Sequence, residues 1–421
     1  MRRRKITGIK IELSVNSLAP LGDATGFFEN KICFVKGAVP GEKVVATVIK
    51  EDKKNIYATL DTVIEPSPNR AAPLCSVADL CGGCKWQHIQ YNTQAEEKKI
   101  ILQRIFSLEN INFVKSNPFA YRRLARLHFK GRKHRPAIIG FFKQREHTIV
   151  DINSCPVLEK KLSNAIDILK NDLFFSTELS GEIQLSAAMD GLSVHLKTDQ
   201  LLSENFYKHA KTKVPSDFLG ITALSDNILS VIAGSSTLSV ELDDKTALKM
   251  PAGSFGQANS YINCQIINDL QKQIKELGSI KNCLEIFAGA GNFTVFIAPL
   301  VSKLTTIEYD KTACSLAEQN MKDAGLFNVC TKQQDASLIS DNQLKNIDLA
   351  VLDPPRTGNI LLAEKLSKSN VKNIIYISCN PKTLKRDISI LESGGYKINN
   401  LTGYDMFPQT PHIESMALLS R

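Results

Sequence analysis

No apolar run in the 421 residues approaches the roughly 20 consecutive positions that a membrane-spanning helix needs. A signal peptide is not expected either. Met1 to Lys5 (MRRRK) has the basic start of one, but the charged Lys10 and Glu12 stand where its apolar segment should follow. Internal repeats and low-complexity tracts are also missing, which sets aside repeat architectures. The expectation is a cytoplasmic chain of about two to three domains, monomeric and without an obligate protein partner. Acidic residues are missing from one stretch, Tyr121 to Pro136 (YRRLARLHFKGRKHRP), which carries seven Lys or Arg. With a net charge of +9 and a pI near 8.9, that points to an anionic partner. Ten cysteines in a cytoplasmic chain suggest metal or catalysis more than disulfides.

Three regions differ in pattern. From about Ile6 to Glu65, short β-branched runs (Lys31–Lys36, Lys43–Lys50, Asn55–Val63) are punctuated by Gly22, Gly26, Gly37 and Pro40-Gly41. This predicts a small barrel of the oligonucleotide-binding type over residues 1–65. Glu65-Pro66-Ser67-Pro68-Asn69 reads as a linker. Residues 66–250 read as a central α+β domain, with helices over Asn92–Glu109 and Leu162–Leu173 and strand-like runs such as Glu182–Leu196 and Leu229–Leu242. Over residues 251–421, strands CLEIF, KLTTIEY, NVCTKQ, IDLAVLD and NIIYIS alternate with helical segments such as Thr312–Ala324. That is a doubly wound, Rossmann-like sheet, closing in a hairpin near Ile398–Leu401 and Glu414–Leu419. The fold class is multidomain α/β.

The chemistry gathers at strand ends of this last region. Ile374 to Ile377 form a strand buried on both faces, and it stops at Ser378-Cys379-Asn380-Pro381. Pro381 suits the first turn of the following helix. Cys379 therefore precedes a helix N-terminus, where partial positive charge favours a thiolate; a buried structural cysteine is the other reading. Gly289 and Gly291 in LEIFAGAGNFT allow a tight turn and close approach of a ligand to the backbone. Glu308 ends the next strand, where a carboxylate can bind both ribose hydroxyls. A dinucleotide enzyme and an S-adenosylmethionine (SAM) enzyme fit these features equally. The LDPPR segment favours SAM. Asp353 is its strand tip, and Arg356 stands where adenine N-methyltransferases usually have an aromatic, so amino methylation is disfavoured. A cysteine beside a SAM pocket suits methylation of carbon 5 of a pyrimidine. Thiolate addition at carbon 6 makes carbon 5 nucleophilic, and a base then removes its proton so that the cysteine leaves.

With SFGQAN, LEIFAGAGNFT, LDPPR, SCNP and HIES in this order, the chain resembles the bacterial RNA (uracil-5)-methyltransferases. The resemblance implies Cys379 as nucleophile and Glu414 as base. It places SAM contacts on Gln257, Phe287, Asn292, Glu308, Asp335 and Asp353. Ala288 and Ala290 depart from the Cys and Met that relatives often carry, which puts little in doubt.

Cys75, Cys81, Cys84 and Cys155 supply four thiolates. Spacing alone leaves a [4Fe–4S] cluster, zinc and no metal open, with Gly82-Gly83 and Cys155-Pro156 leaning to the cluster. The resemblance favours it further, because a subset of the family carries these cysteines around [4Fe–4S]. A structural or RNA-positioning role is then expected. RNA contacts are expected from Arg122, Arg123, Arg126 and Lys130, with Tyr121, His128 and Phe129 as stacking surfaces and Trp86 and His88 as weaker candidates. The barrel resembles a TRAM domain. Barrel, cluster and methyltransferase together resemble the members that modify 23S ribosomal RNA at uracil 1939. The uracil-747 and dual-site 23S enzymes share these modules, whereas the tRNA uracil-54 relatives are expected to lack barrel and cluster. Two other classes remain: a dinucleotide-dependent oxidoreductase, which gives LDPPR and SCNP no role, and a non-catalytic RNA-binding protein.

Overall fold

The computed structural model describes residues 7–144, 146–174, 178–213, 215–254 and 256–421. Met1 to Lys5 and Phe255 of the SFGQAN motif lie outside the described residues. The first strand, β1 (Lys10–Leu18), alternates exposed and buried positions, so that Ile11, Leu13 and Val15 point inward. It joins β2 (Ala24–Phe28), β3 (Lys31–Lys36), β4 (Glu42–Glu51) and β5 (Asn55–Glu65) in a closed barrel of order β1-β2-β3-β5-β4. The expected barrel is thus present, and closure removes its edges. Buried Glu42 accepts from the Arg70 guanidinium at 2.8 Å, which ties the linker to the barrel wall.

Next come α1 (Tyr91–Phe106) and the short β6 (Asn112–Val114). A seven-stranded sheet follows, built from β7 (Leu124–Arg132), β8 (Arg135–Phe142), β9 (Ile149–Asp151), β10 (Ser180–Ala188), β11 (Gly191–Thr198), β12 (Phe218–Ser225) and β13 (Ile228–Gly234). The helices α2 (Lys160–Ile168) and α3 (Glu204–Lys213) supply Leu162, Ile166, Phe206 and Ala210 to its core. A separate hairpin, β14 (Thr237–Glu241) with β15 (Ala247–Pro251), leads onward. The expected run Glu182–Leu196 is two antiparallel strands, because Met189-Asp190 turns the chain.

After α4 (Ser260–Glu276) the chain alternates: β16 (Ile280–Ile286), α5 (Thr294–Ile297), β17 (Val301–Glu308), α6 (Lys311–Asp323), β18 (Val329–Gln333), α7 (Asp341–Leu344), β19 (Leu349–Leu352), α8 (Ile360–Lys368), β20 (Asn373–Ser378), α9 (Pro381–Ser393), then β21 (Lys397–Tyr404) and β22 (Glu414–Ser420). The sheet order is β18-β17-β16-β19-β20-β22-β21-β6. Strands β16 to β20 run parallel and β22 lies antiparallel to β20, which is the expected closing hairpin. The order reverses between β16 and β19, where doubly wound sheets open a ligand cleft.

Beyond the expected plan, β6 pairs with β21 and adds a strand to this sheet. Trp86, Ile101, Leu102 and Phe106 share one apolar core with the barrel and with Leu352 and Tyr376 of the sheet. Residues 86–114 therefore pack with the barrel and the C-terminal sheet, although they fall inside the expected central segment 66–250. The apolar face of α1 needs a partner, and the sheet's open face supplies it. Among the described residues, no helix is long and apolar enough to cross a membrane.

Candidate active site

Both-face burial ends β20 at Ser378, and Asn380 caps α9 through its side chain, which accepts from the Lys382 N–H at 3.2 Å. Cys379 is held between these two elements. The ladder's last pair is Ser378 with Ser415, so Cys379 and Glu414 are the next residues beyond it, and the Glu414 carboxyl acts on the Cys379 thiol. Asp353 follows the end of β19, the neighbour of β20. The Arg356 carbonyl accepts from Asn380 Nδ2 and from Thr383 Oγ1, each at 3.1 Å, which pins the LDPPR loop to SCNP. The Arg356 guanidinium donates to His412 Nδ1 at 3.3 Å, joining HIES as well. Three sequence motifs thus meet around one thiol.

The charge state of that thiol differs from the expectation. Burial pushes Cys379 up to about 12, with Glu414 and Asp353 pushing the same way and Arg356 against them. Two carboxylates and desolvation outweigh the helix N-terminus. Burial raises Glu414 and Asp353 too, and the Asp353 carboxyl adds to the rise at Glu414. In the free protein Cys379 is therefore a thiol. Alkylation of Cys379, followed peptide by peptide, should climb with pH and show no plateau below 9.0, its ordinary value. A plateau near neutrality is what a stored thiolate would give.

The glycine turn lies across the cleft. Phe287 has a left-handed backbone (φ 68°), as do Gly289 (φ 58°) and Gly291 (φ 103°), which turns the chain back over β16. Glu308 Oε2 accepts from the Gly289 N–H at 2.9 Å, and Oε1 accepts from the Tyr309 and Asp310 N–H groups at 2.8 and 2.9 Å. These three bonds use most of the roughly four acceptor positions of a carboxylate. Binding both ribose hydroxyls therefore requires one amide to let go. Asn292 is held by a reciprocal amide pair with Asn263 of α4, at 2.9 and 3.1 Å. Asp335 is exposed and accepts from Ser337 N–H and Oγ, each at 2.8 Å, which keeps it ionised. Gln257 stands apart from this group. It lines a cavity with Arg123, Leu124 and Met250, and the neighbouring Ala258 carbonyl accepts from Arg123 N–H at 2.8 Å.

Glu285 was not expected. It lies buried in β16, accepts from Thr294 Oγ1 at 2.7 Å and is pushed up to about 8 by burial, with Asp353 and Glu308 adding. The acid inside the otherwise apolar CLEIF run was the available signal.

The basic tract divides by strand alternation. Arg126 and Lys130 are exposed on β7. Arg122 Nε donates to the Leu124 carbonyl at 2.9 Å, and Arg123 Nη1 to the Glu241 carbonyl at 2.7 Å, so both are engaged within the protein. Tyr121 and Phe129 are buried in the middle core, and His128 stacks on Phe142 with ring centroids 3.6 Å apart. Trp86 is fully buried, and its Nε1 donates to the Gly22 carbonyl at 2.8 Å. Among the expected stacking surfaces, Tyr121, Phe129 and Trp86 are thus core residues; for Phe129 the cause is the alternation of β7, which points its ring inward where it exposes Arg126 and Lys130.

Cys84 is pushed up to about 12 by burial, and the thiols of Cys155, Cys81 and Cys75 add to the shift. The four cysteines thus lie near one another, three from residues 75–84 and one from Cys155. Gly83 N–H donates to Cys81 Sγ at 3.4 Å. Among the described residues, no group of three or more His, Cys, Asp or Glu has the geometry to hold one metal ion.

Residues 90–421 match the model of the tRNA (uracil-5-)-methyltransferase family. The chain belongs to that family. It is an RNA (uracil-5)-methyltransferase using SAM. Among relatives, it is 32% identical to the 23S rRNA (uracil(1939)-C(5))-methyltransferase RlmD of Aeromonas hydrophila, over 98% of this chain and 96% of that protein. It is 31% identical to the protein of the same name from Tolumonas auensis, with the same coverage. Among solved structures, the tRNA (uracil-54, C5)-methyltransferase of Pyrococcus abyssi, in complex with S-adenosyl-L-homocysteine, superposes with a TM-score of 0.78 at 24% identity. It covers 97% of this chain and 100% of its own. Coverage that wide includes the barrel. The expectation that tRNA uracil-54 enzymes lack the barrel is therefore corrected, and the barrel alone does not separate the two RNA classes.

Proposed function

We propose that this methyltransferase acts on carbon 5 of a uridine in 23S ribosomal RNA, of the uracil-1939 type. The gathering of Cys379, Glu414 and Asp353 at the end of the β20–β22 ladder carries the reading. The Cys379 thiol gives its proton to Asp353 as its sulfur bonds to carbon 6 of the uracil. Carbon 5 then takes the methyl group from the SAM sulfonium, which leaves as S-adenosyl-L-homocysteine. Glu414 removes the carbon 5 proton, the carbon–sulfur bond breaks, and Asp353 returns a proton to the departing Cys379 thiolate. The glycine turn would hold SAM, with Glu308 binding its ribose and Phe287, Asn292, Asp335 and Asp353 supplying further contacts. Gln257, which lines a separate cavity with Arg123 and Met250, would have to turn towards the cleft to touch SAM. Arg126 and Lys130 are the exposed cations of the basic strand and take RNA phosphates, while Arg122 and Arg123 shape the wall behind them. The full-length likeness to relatives named for uracil 1939 supports the choice of RNA. Incubating the enzyme and labelled SAM with unmodified 23S and tRNA transcripts tests it. Label at uracil 1939 is expected; label at uracil 747 or at tRNA uracil 54 would reassign the substrate.

Cys75, Cys81, Cys84 and Cys155 would hold a [4Fe–4S] cluster. Buried Cys155 and half-buried Cys75, Cys81 and Cys84, with a glycine pair between the last two, suit a cubane, which keeps its thiolates further apart than a single ion does. When bound, the cluster would tie residues 75–84 to the segment that carries Cys155. Anaerobically purified protein is expected to show broad visible absorption and about four irons per chain. A colourless protein containing zinc would overturn that assignment.

A further inference from the structure

The segment from Asp405 to Ile413 leads directly into Glu414, yet it contains neither helix nor strand. Its backbone is set at Gln409, which adopts a left-handed conformation (φ 67°) while almost wholly buried. A glutamine stays in that region only where its surroundings over-determine it. Here they do. The Gln409 carbonyl accepts from the Lys85 and Trp86 N–H groups, each at 3.0 Å. Its own N–H donates to Gln94 Oε1 at 2.9 Å, and its Oε1 accepts from Gln94 Nε2 at 2.9 Å. Its Nε2 donates to the Pro118 carbonyl at 3.4 Å. Gln94 lies on α1 and is fully buried, and its Nε2 also donates to the carbonyls of Trp86 and Ile89. One turn further along α1, Lys98 Nζ donates to Asp405 Oδ1 at 2.6 Å and to the Phe407 carbonyl at 3.0 Å.

We propose that Gln409 is a positioning residue for the reaction: locked to Gln94 and to the amides of Lys85 and Trp86, it sets where Glu414 meets carbon 5 of the bound uracil. The inference rests on the reading of Glu414 as the base. The β20–β22 ladder supports both residues, but Cys379 has a further anchor of its own in the Asn380 cap, whereas Glu414 is entered from the 405–413 segment. Disturbing Gln409 should therefore leave addition in place and slow elimination. Lys85 also follows Cys84 directly, so the four-cysteine turn and the base share one anchor point.

The test compares Gln409→Ala, Gln94→Met and Glu414→Gln with the unaltered enzyme. Each is incubated with a uridine-containing substrate RNA and SAM, then run on a denaturing gel. SAM affinity is measured alongside by equilibrium dialysis. Expected are a several-fold larger fraction of RNA–protein adduct in Gln409→Ala and Gln94→Met, a lower turnover number and an unchanged SAM affinity. If Gln409→Ala fails to bind SAM, Gln94→Met decides, because Gln409 then keeps its own side chain. Adduct in Glu414→Gln but wild-type levels in both other variants overturns the role of Gln409 and leaves the base intact. No adduct in Glu414→Gln removes the base first, and the inference with it. Loss of SAM binding in both Gln409→Ala and Gln94→Met also overturns it, since the segment would then only support the fold.

Discussion

Replacing Cys379 by Ala is expected to lower methyl transfer by on the order of 10⁴-fold or more, while SAM affinity stays unchanged. The size of the loss follows from the chemistry. Carbon 5 of uracil does not attack a methyl sulfonium until carbon 6 carries a nucleophile, so no residual route bypasses the thiol. Retention of SAM follows from the architecture. The glycine turn and Glu308 belong to β16 and β17, whereas Cys379 lies two strands away from β16, beyond β19. A truncation to Ala leaves the Asn380 cap and the β20 ladder in place, since neither uses the cysteine side chain. Radiolabel transfer and equilibrium dialysis on the same preparation separate the two effects. An active Cys379→Ala enzyme would sink the covalent mechanism. A Cys379→Ala enzyme that loses SAM would mean that the thiol supports the pocket instead.

Much of this site was legible before the fold was known, and the part that was not has one cause. Ile374 to Ile377 announce a strand buried on both faces, and Pro381 announces the helix after it, so the tip that carries Cys379 follows from adjacent residues. The thiol's charge does not. The helix N-terminus is local in sequence, but the carboxyls that oppose it stand at positions 353 and 414 and reach Cys379 only through β19 and β22. The same holds for Gln94 and Gln409, which are 315 residues apart and meet as an amide pair. It holds for β6, three residues long, whose partner β21 begins at Lys397. Charge counts over Tyr121 to Pro136 are blind to alternation. The stretch reads as one basic surface, but a strand shows only every second residue, and Arg122 and Arg123 are bound to carbonyls before it begins. The raised Cys379 thiol also changes the order of events. A stored thiolate would react with any electrophile, whereas a thiol that gives up its proton beside Glu414 and Asp353 waits for the base to arrive.

The Glu414→Gln enzyme is expected to trap RNA covalently. Glutamine keeps the size of the side chain and its place at the start of β22, so the ladder with β20 and the position of Cys379 are preserved. Addition at carbon 6 and transfer of the methyl group need no proton acceptor at carbon 5, and both proceed. Elimination does need one, and an amide is not a base at neutral pH. The methylated uridine then stays bonded to Cys379, and one turnover consumes the enzyme. A denaturing gel should show a stoichiometric band of RNA joined to protein that depends on SAM, and the Cys379→Ala,Glu414→Gln double variant should lack it. Raising the pH should not restore turnover, because the missing acceptor cannot be titrated into place. In the unaltered enzyme the sign is opposite. Burial holds Glu414 well above the usual carboxylate range, so its proton-accepting form is lost as pH falls and gained as pH rises. Elimination should therefore quicken with pH in the unaltered enzyme and stay flat in Glu414→Gln. Rapid release of methylated RNA from Glu414→Gln would assign the base elsewhere, with Asp353 the first group to replace in turn.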